Sequence, residues 1–491
     1  MVTVALAFLA AAVVSAALTP LVRYAATRWS LRHDAVSSRS VHLTPTPRLG
    51  GVAIVAAFHL TLLGLRLLDP AVGRAFREEQ LLADGLLVGS LVIAALGVYD
   101  DVRGANARLK LVVQFGVALA MCQVGYRIDE ITSPWGGSLS LGWLSLPLTV
   151  LWIAGVVNAV NLIDGLDGLA GGVALFAVAT TFVTAGLQGD TLMLVFSAAM
   201  AGAALGFLRY NFNPATIFMG DTGSMFLGFV LAVTAIHTHQ KSSMAVAIAV
   251  PVIALGVPIA DTLLAIGRRA VRGAPLFTAD RGHIHHRIMA RGFSHRQAVL
   301  VLYGSAAVLA ATALSLRLVN STQGFLLLLA LAAVAWVGLR SLGFLDLGKT
   351  GEVLAGRRRL LAMRAAVGRA ATRLRRAQSP LEVWSAVREA APGLGTTAVG
   401  LTVGRAAGGA EQGPWSEGFD EPGPELLRAR YALEGPGDAH LELCWSDGRS
   451  GVDRETEVAV ERLCDEVTAA LDRLERQAPR GEGRQPGRAE P

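Results

Sequence analysis

The sequence predicts an all-α polytopic membrane protein that carries a small α/β module after its last membrane span. Of its 491 residues, 53% are hydrophobic and 17% are charged, and the mean hydropathy of +0.48 exceeds what soluble domains usually reach. Almost all of this hydrophobicity lies before about residue 342. The remaining third of the chain has the composition of a soluble domain.

The charge changes sign at nearly the same boundary. Residues 1–379 hold 32 Lys and Arg against 17 Asp and Glu, a net of +15, whereas residues 380–491 hold 12 against 21, a net of −9. We therefore attribute the basic pI to membrane topology and anionic lipid, and we expect no nucleic-acid partner. The three cysteines are far apart and form no Cys-x-x-Cys motif, so neither a disulfide framework nor a zinc ribbon is predicted.

About eleven apolar segments are long enough to cross a bilayer. No basic residue precedes Arg23, so we expect the first segment to be an uncleaved span and not a signal peptide. An odd number of spans would place the two ends of the chain on opposite sides of the membrane. The segments are 2–21, 49–68, 82–98, 109–125, 143–160, 168–187, 191–208, 218–236, 244–266, 297–317 and 323–340.

The loops between these segments differ in basic residues. With Lys110 included, the loops after odd-numbered segments hold 16 Lys and Arg, and those after even-numbered segments hold 4. Because basic loops stay on the cytoplasmic side, the count predicts an N-terminus outside and odd-numbered loops in the cytoplasm.

Composition divides the chain into four regions: a transmembrane domain at 1–342, a basic amphipathic linker at 343–379, a soluble α/β module at 380–476 and a disordered tail at 477–491. The arginine-rich part of the linker suits a helix lying on an anionic leaflet, or a solvated charged helix. The module is predicted to contain a helix, three strands and a long last helix, at 381–391, 398–403, 428–433, 439–445 and 454–476. This order resembles small sensory modules of the GAF type.

The most informative polar motif runs from Asn158 to Gly172 between two apolar segments. Ionisable groups at such places are costly and are usually functional. Asn161, Asp164 and Asp167 recur every three residues, so one helical turn would put them on one face, although the glycines between them also allow a broken helix. Their oxygen atoms suit a hard cation such as Mg²⁺.

Two further acidic motifs end or begin apolar segments. Asp100 and Asp101 are adjacent at the end of the third segment, with Lys110 close by, and such a pair persists most easily beside a cation. Asp221 lies between glycines at the start of the eighth, in the stretch that begins with Asn211. In both motifs helix capping is the alternative to ligand binding.

Two loops supply cationic groups. The loop after the first segment holds Arg39, His42 and Arg48, which could bind an anion or could simply be ordinary positive charges of a cytoplasmic loop. The loop after the ninth segment contains Asp-Arg-Gly-His-Ile-His-His-Arg at 280–287. Because no further Cys or carboxylate stands at a usual zinc spacing, the arginines around these histidines favour a polyanion site.

These motifs in this order resemble the polyprenyl-phosphate N-acetylhexosamine-1-phosphate transferase family, of the glycosyltransferase family 4 type. Its members carry an Asp-Asp pair, an Asn-x-x-Asp-Gly-x-Asp-Gly loop, a Gly-Asp-x-Gly-Ser turn and a His-rich last loop. Pro47–Gly51 and His283–Arg287 resemble the bacterial N-acetylglucosamine-1-phosphate branch more than the phospho-MurNAc-pentapeptide branch. The resemblance covers about residues 1–340.

The resemblance implies transfer of N-acetylglucosamine 1-phosphate from UDP-GlcNAc to undecaprenyl phosphate, with release of UMP, as the first step of a cell-envelope polysaccharide. Alternatives are another UDP-hexosamine transferase, including the phospho-MurNAc-pentapeptide type, and more remotely a cation-coupled transporter. Implied besides these are Mg²⁺, with Mn²⁺ as a substitute, anionic lipids as partners and a location in the bacterial inner membrane with a cytoplasmic active site. A homodimer is compatible with the sequence.

The resemblance also implies roles for individual residues. Metal would be held by Asp221, Asn161 and Asp164. The uridine would contact Asp167, Asn211 and Phe218, and Asp100 would be the base or would position the lipid phosphate. Asp101 would act beside Asp100, and Lys110 would meet phosphate. Contact with phosphate or sugar is implied for His283, His285, His286 and Arg281, and substrate binding is expected of Arg39, His42 and Arg48. The expected catalytic residues are Asp100, Asp101, Lys110, His283, His285 and His286.

Overall fold

The computed structural model describes residues 2–28, 46–132, 138–240, 249–272, 282–344, 350–403, 414–419, 427–433 and 439–477. The chain divides into two compact units. The first comprises Met1–Arg268 and Leu276–Asp346, and the second comprises Arg269–Pro275 and Leu347–Pro491.

The first unit is built almost entirely of helices, with one two-stranded antiparallel hairpin between α5 and α6. Its elements are α1 (Val2–Arg28), α2 (Gly51–Leu68), α3 (Pro70–Glu78), α4 (Gln80–Arg103), α5 (Ala107–Val124), β1 (Glu130–Thr132), β2 (Ser138–Ser140), α6 (Ser145–Ile163), α7 (Leu169–Gln188), α8 (Thr191–Asn211), α9 (Gly220–Gln240), α10 (Ala249–Ala254), α11 (Gly256–Arg272, as far as Arg268), α12 (Ile284–Met289), α13 (His295–Ser315) and α14 (Ser321–Ser341).

Within the described ranges, nine of these helices are long and apolar enough to cross a membrane, namely all except α3 and α9 to α12. The polytopic helical architecture predicted from the sequence is therefore confirmed. The predicted number of eleven spans is not reached by this criterion. The two segments that make the difference are 218–236 and 244–266.

The first of these segments forms α9, which lies at the centre of the unit. Every residue from Thr222 to Thr238 is buried, and the helix packs against α2, α4, α6 and α7. Because protein and not lipid surrounds it, α9 tolerates polar residues such as Thr234 and His237. The second segment is split into α10 and α11 near Leu255, and its first residues lie outside the described ranges.

Helix α3 is a feature that the hydropathy pattern did not predict. Asp69 caps it by accepting hydrogen bonds from the backbone N–H groups of Ala71 (2.8 Å) and Val72 (3.1 Å), and Pro70 occupies the first helical position. Both are standard signals of a helix start. The helix is short and polar, so it lies between two spans without adding one.

Small residues allow α1 and α8 to approach each other closely. A Cβ atom added to Gly202 would lie 2.1 Å from the carbonyl oxygen of Phe8, and the Ser15 hydroxyl donates a hydrogen bond to the carbonyl oxygen of Ala203 (2.7 Å). Such contacts are typical of helix pairs in membranes. The first helix is thereby anchored to the bundle.

The second unit is an antiparallel sheet covered by helices. Strand order is β4-β3-β6-β5, and the pairs Val399 with Leu443 and Leu401 with Leu441 lie in register within its core. Strand β4 was missed because it is only three residues long, and the likeness to GAF modules stays a prediction. The elements are α15 (Thr350–Leu374), α16 (Pro380–Ala390), β3 (Ala398–Thr402), β4 (Trp415–Glu417), β5 (Leu427–Ala432), β6 (His440–Trp445) and α17 (Arg454–Gln477).

The basic segment expected to be a linker forms α15 and belongs to this second unit. Met363, Val367, Ala370 and Leu374 are buried in its core, at the spacing of one helical stripe. The amphipathic pattern is present, but its apolar face packs against α16 and α17. Contact of the exposed arginines with an anionic surface stays a prediction.

The close approach of α1 and α8 yields a stability prediction. Replacing Gly202 by valine should lower the free energy of unfolding by about 1–3 kcal/mol, because the new side chain must push the backbone of α1 away. Thermal unfolding of the purified protein in detergent would measure the change. Gly116→Val is the matched control, since a Cβ atom there meets nothing within 4 Å; equal stability of the two variants would contradict the packing argument.

Candidate active site

The polar motifs converge at one end of the helix bundle. Contacts at this end join the C-terminal ends of α4, α6 and α8 to the N-terminal ends of α5, α7 and α9. The described parts of the loops between these helices therefore lie close together. The topology inferred from the basic residues, including the side of the membrane on which these loops lie, stays a prediction.

The first and seventh loops are joined through their backbones. Gly50 and Gly51 donate N–H hydrogen bonds to the carbonyl oxygens of Phe218 (2.9 Å) and Met219 (2.8 Å), and the N–H of Phe218 donates to the carbonyl oxygen of Pro47 (2.9 Å). Phe218 itself is half-buried. This pairing places Arg48 beside the acidic residues, and its charge acts on both Asp101 and Asp164.

Asp101 caps the central helix α9 from the end of α4. One carboxylate oxygen accepts from the N–H of Asp221 (2.9 Å), and the other accepts from the N–H (3.0 Å) and the hydroxyl (2.6 Å) of Thr222. Gly220 has a φ of +71°, and a Cβ atom there would lie 2.6 Å from the Asp101 carboxylate. The position therefore requires glycine. Capping is thus the structural role of Asp101, which leaves the Asp221 side chain free to point elsewhere.

Lys110 connects the two other carboxylates of this corner. Its ammonium group forms an ion pair with Asp100 and another with Asp221, at 2.6 Å. Asp100 also accepts a hydrogen bond from the N–H of Ala105 (2.5 Å), which fixes the turn between α4 and α5. The adjacent carboxylates therefore have different partners, as the repulsion between them requires.

Asn161 links α6 to the same corner. Its amide nitrogen lies 3.3 Å from the Asp221 carboxylate, and its carbonyl oxygen accepts from the Ser224 hydroxyl (2.6 Å). Asn161 and Lys110 thus approach the same carboxylate oxygen of Asp221. Three elements that are distant in sequence supply this arrangement.

Asp164 directly follows the last residue of α6 and lies near the carboxylates of Asp221 and Asp101. Burial and the charges of Asp221 and Asp101 raise the pKa of Asp164 to about 8. Among the described residues, no hydrogen bond or ion pair joins its carboxylate group. Since this pKa already includes the opposing effect of Arg48, the carboxylate stays ionised at neutral pH only if a further cation lies near it.

The charges of this corner sum to a negative value. Four carboxylates, of Asp100, Asp101, Asp164 and Asp221, stand against the cations of Lys110 and Arg48, which leaves −2 if all are ionised. Oxygen donors on several helices and this excess charge fit a divalent cation. Asp221, Asp164 and Asn161 are the residues whose oxygen atoms could hold one.

Asp167 and Asn211 brace the loop that follows α6. The buried Asp167 carboxylate accepts from the side-chain amide of Asn213 (2.9 Å) and the N–H of Ala215 (3.0 Å). Asn211, also buried, accepts from the N–H of Gly168 (3.1 Å) and donates to the carbonyl oxygen of Ile217 (3.0 Å). Both side chains organise the fifth and seventh loops, and contact of either with uridine stays a prediction.

The histidine segment is attached to the acidic loop at two points. His295, at the start of α13, accepts a hydrogen bond from the N–H of Asp167 (2.9 Å). A Cβ atom added to Gly165 would lie 3.0 Å from Nε2 of His285, so the ring packs on that glycine. Burial, with a smaller effect of His286, lowers the pKa of His285 to about 4, so this ring is neutral at physiological pH.

His283 is held by a carboxylate on α11. Its Nδ1 lies 2.8 Å from one oxygen of Asp261, whose other oxygen accepts from the N–H of Ile284 (2.8 Å). The rings of His283 and His285 are stacked, with centroids 5.7 Å apart, and the ring centroids of His285 and His286 are 4.2 Å apart. The three motif histidines therefore form one group.

Comparison with known proteins identifies the family of the chain. Residues 84–239 match the model of glycosyl transferase family 4. A probable undecaprenyl-phosphate N-acetylglucosaminyl 1-phosphate transferase of Bacillus subtilis is 39% identical over 304 residues, which cover 62% of this chain and 82% of that relative. The chain belongs to glycosyl transferase family 4. The resemblance inferred from the motifs is thereby confirmed.

Two other relatives show the range of the family. A decaprenyl-phosphate N-acetylglucosaminephosphotransferase of Mycolicibacterium smegmatis is 35% identical over 313 residues, which cover 58% of this chain and 76% of the relative. A phospho-N-acetylmuramoyl-pentapeptide-transferase of Thermosynechococcus vestitus is 32% identical over 322 residues, covering 62% and 81%. The second type corresponds to the alternative that the sequence left open.

Three predicted site residues of this family 4 member, Arg39, His42 and Arg281, lie outside the described residues. The others meet at one end of the bundle, as described above. Sequence reasoning missed Asp261, Thr222, Ser224 and His295. Asp261 could have been found, because a carboxylate inside the predicted segment 244–266 is itself a functional signal.

A second group with metal-ligand chemistry lies at the other end of the bundle. In the described part of the chain, ligand atoms of Glu79, Asp190 and His237 all lie within 4.8 Å of one another. Nε2 of His237 is 2.9 Å from Asp190 and 3.4 Å from Glu79. Asp190 also caps α8 through the N–H of Met193 (3.0 Å). Metal-ligand chemistry is thus present in the unit, but this group shares no residue with the predicted ligands Asp221, Asn161 and Asp164.

The cap on α9 predicts a loss of stability when Asp101 is changed. Asp101→Ala should lower the free energy of unfolding by about 1–2 kcal/mol, because three donors lose their acceptor. Thermal unfolding in detergent would show a lower midpoint. Asp84→Ala is the control, since Asp84 makes only a partly exposed ion pair with Arg66, a kind of pair that contributes little. An unchanged midpoint for Asp101→Ala would refute the cap.

Proposed function

We propose that the chain transfers N-acetylglucosamine 1-phosphate from UDP-GlcNAc to a polyprenyl phosphate such as undecaprenyl phosphate. An oxygen of the lipid phosphate bonds to the sugar-linked phosphorus, the bond to UMP breaks, and UMP leaves. The product is a lipid-linked diphospho-sugar, which would initiate a cell-envelope polysaccharide. Membership of glycosyl transferase family 4 and the names of the relatives support this reaction.

One observation carries the proposal: Lys110 lies between Asp100 and Asp221. The charge of Asp221 acts in turn on Asp164, whose carboxylate has no hydrogen-bond or ion-pair partner among the described residues. The reaction brings an anionic acceptor to an anionic donor, so it needs fixed positive charge at the diphosphate. Lys110 supplies one such charge. The carboxylates of Asp164 and Asp221 could contribute by holding a further cation.

The residues that would hold Mg²⁺ are Asp221, Asp164 and Asn161. Mg²⁺ takes few protein ligands and completes its shell with water and phosphate oxygens. When bound, it would supply positive charge to the diphosphate as the bond to UMP breaks. Asp101 contributes indirectly, because it orients the first turn of α9 on which Asp221 lies.

Asp100 acts mainly by positioning in this proposal. A phosphate monoester is already largely ionised near pH 7, so the acceptor needs little help in losing a proton. The ion pair of Asp100 with Lys110 instead fixes the position of the ammonium group near the N-terminal end of α5. Arg48, His283, His285 and His286 would contact phosphate or sugar, and Arg39, His42 and Arg281, which lie outside the described residues, are proposed to do the same.

The uridine would lie near the loop braced by Asp167 and Asn211, with Phe218 as the stacking group. Asp167 is buried and already accepts two hydrogen bonds, so its contribution is to shape this loop. The active site would face the cytoplasm of the inner membrane, in line with the basic loops. The second unit would be accessory.

The proposal predicts a metal-dependent release of UMP. Purified protein with Mg²⁺, UDP-GlcNAc and undecaprenyl phosphate should form UMP, and EDTA should abolish the reaction until Mg²⁺ is restored. Asp221→Ala should lower the rate on the order of 100-fold or more, because it removes a ligand and a partner of Lys110. A coupled assay of UMP would follow both.

Asp84→Ala is the matched control in the same assay and should retain the rate of the unchanged protein, because Asp84 lies in the part of α4 remote from Asp100. Absence of UMP in the unchanged protein, or equal rates for the Asp221 and Asp84 variants, would disprove the proposed reaction.

A second candidate is transfer of phospho-N-acetylmuramoyl-pentapeptide, supported by the relative of that type in Thermosynechococcus vestitus. Because the motif histidines and Pro47–Gly51 favour the N-acetylglucosamine branch, a panel of UDP-sugars should give a clearly higher kcat/KM for UDP-GlcNAc. Preference for UDP-MurNAc-pentapeptide would assign the chain to the other branch.

A further inference from the structure

We propose that Asp261 is a positioning residue, which fixes the ring of His283 so that one chosen nitrogen faces the donor's phosphate or sugar. The inference rests on the proposed transferase function, since His283 matters only if that site is used. Asp261 lies in α11, distant in sequence from every acidic motif. Its burial and hydrogen bonds, the state of the His283 ring and the packing of that ring support the assignment.

Asp261 is one of the most deeply buried charged residues of the first unit, with 1% of its surface exposed. Both carboxylate oxygens are occupied, one by Nδ1 of His283 at 2.8 Å and the other by the N–H of Ile284 at 2.8 Å. A carboxylate buried in this way is stable only with such partners. The pair therefore fixes the segment at the start of α12 against α11.

The chemistry of the pair determines the state of the His283 ring. An ionised carboxylate can only accept hydrogen bonds, so Nδ1 of His283 must carry a proton. The second ring nitrogen, Nε2, then has its lone pair available when the ring is neutral. No residue in the described ranges forms a hydrogen bond with Nε2. This nitrogen is the atom that remains for a ligand.

The orientation of His283 is transmitted to the acidic loop. Its ring is parallel to that of His285, at an interplanar angle of 4°. His285 packs in turn on Gly165, the residue that follows Asp164. Rotation of His283 would therefore disturb a ring that lies against the proposed metal-binding loop.

A purely structural role for Asp261 makes a different prediction. If the side chain only secured α12, asparagine would serve almost as well, because its carbonyl oxygen can still accept from Ile284. Asparagine would, however, present an N–H group to His283 and so favour the opposite tautomer. Asp261→Asn therefore separates positioning of the ring from packing of the helix.

The experiment compares Asp261→Asn, Asp261→Glu, His283→Gln and the Asp261→Asn/His283→Gln double variant in the UMP assay with the full chain. We expect Asp261→Asn to lower kcat about 10- to 100-fold, as for other residues that orient a functional histidine, with KM for UDP-GlcNAc changed less than about twofold. Asp261→Glu should recover part of the loss. In the His283→Gln background, Asp261→Asn should have little further effect. Asp84→Asn is the control.

Equal and additive losses in both backgrounds, or an unchanged kcat in Asp261→Asn, would overturn the proposal. Nitrogen-15 NMR of labelled histidines provides a readout that does not need activity. The unchanged protein should show a proton on Nδ1 of His283, and Asp261→Asn should shift it to Nε2. If the protein released no UMP but showed this tautomer change, the proposed transferase function would be wrong while the positioning of His283 by Asp261 would be supported. A Nε2–H tautomer of His283 in the unchanged protein would refute the positioning.

Discussion

The carboxylate of Asp101 forms the contact on which the arrangement of the acidic site depends. It accepts three hydrogen bonds from the first turn of α9, across an interval of 120 residues in sequence. Since α9 is buried from Thr222 to Thr238, the position of this turn is fixed by the whole bundle. Because Asp101 caps this rigid turn, the direction of the Asp221 side chain is fixed as well.

Once Asp221 is fixed, the other members of the site follow from electrostatics. Lys110 is attracted by Asp221 and Asp100 together, and Asn161 reaches the same carboxylate from α6. Asp164 has no such partner among the described residues, and its environment is therefore unfavourable for a charge. A cation-coupled transporter would place its charges near the membrane midplane, whereas these groups lie together at the ends of helices.

Much of the fold and the site could be predicted from the sequence, because long apolar segments and carboxylates at their ends are strong signals. Hydropathy cannot distinguish a helix that faces lipid from one that other helices enclose, so the burial of α9 from Thr222 to Thr238 became apparent only in the structure. The apolar stripe of α15 was recognised, but a stripe does not reveal whether lipid or a protein core covers it. The sequence marks both Asp101 and Asp221 as important, but only the structure shows that Asp101 is the residue that caps α9.

The kind of donor that each carboxylate accepts from separates structural from chemical roles, since Asp101 and Asp167 accept from backbone N–H groups whereas Asp221 accepts from the side chains of Lys110 and Asn161. Asp101 accepts three hydrogen bonds and Asp167 accepts two, and binding a metal would require each to give up bonds that are worth about 1.5–3 kcal/mol apiece. Asp164 would lose nothing of this kind, and Asp221 would exchange an ion pair that a phosphate could take over. The same reasoning assigns Asp261, both of whose oxygens accept hydrogen bonds, to positioning. It leaves Nε2 of His283, which has no hydrogen-bond partner within the described ranges, for the ligand. Neighbouring acidic residues can thus differ in function because different hydrogen-bond donors surround them.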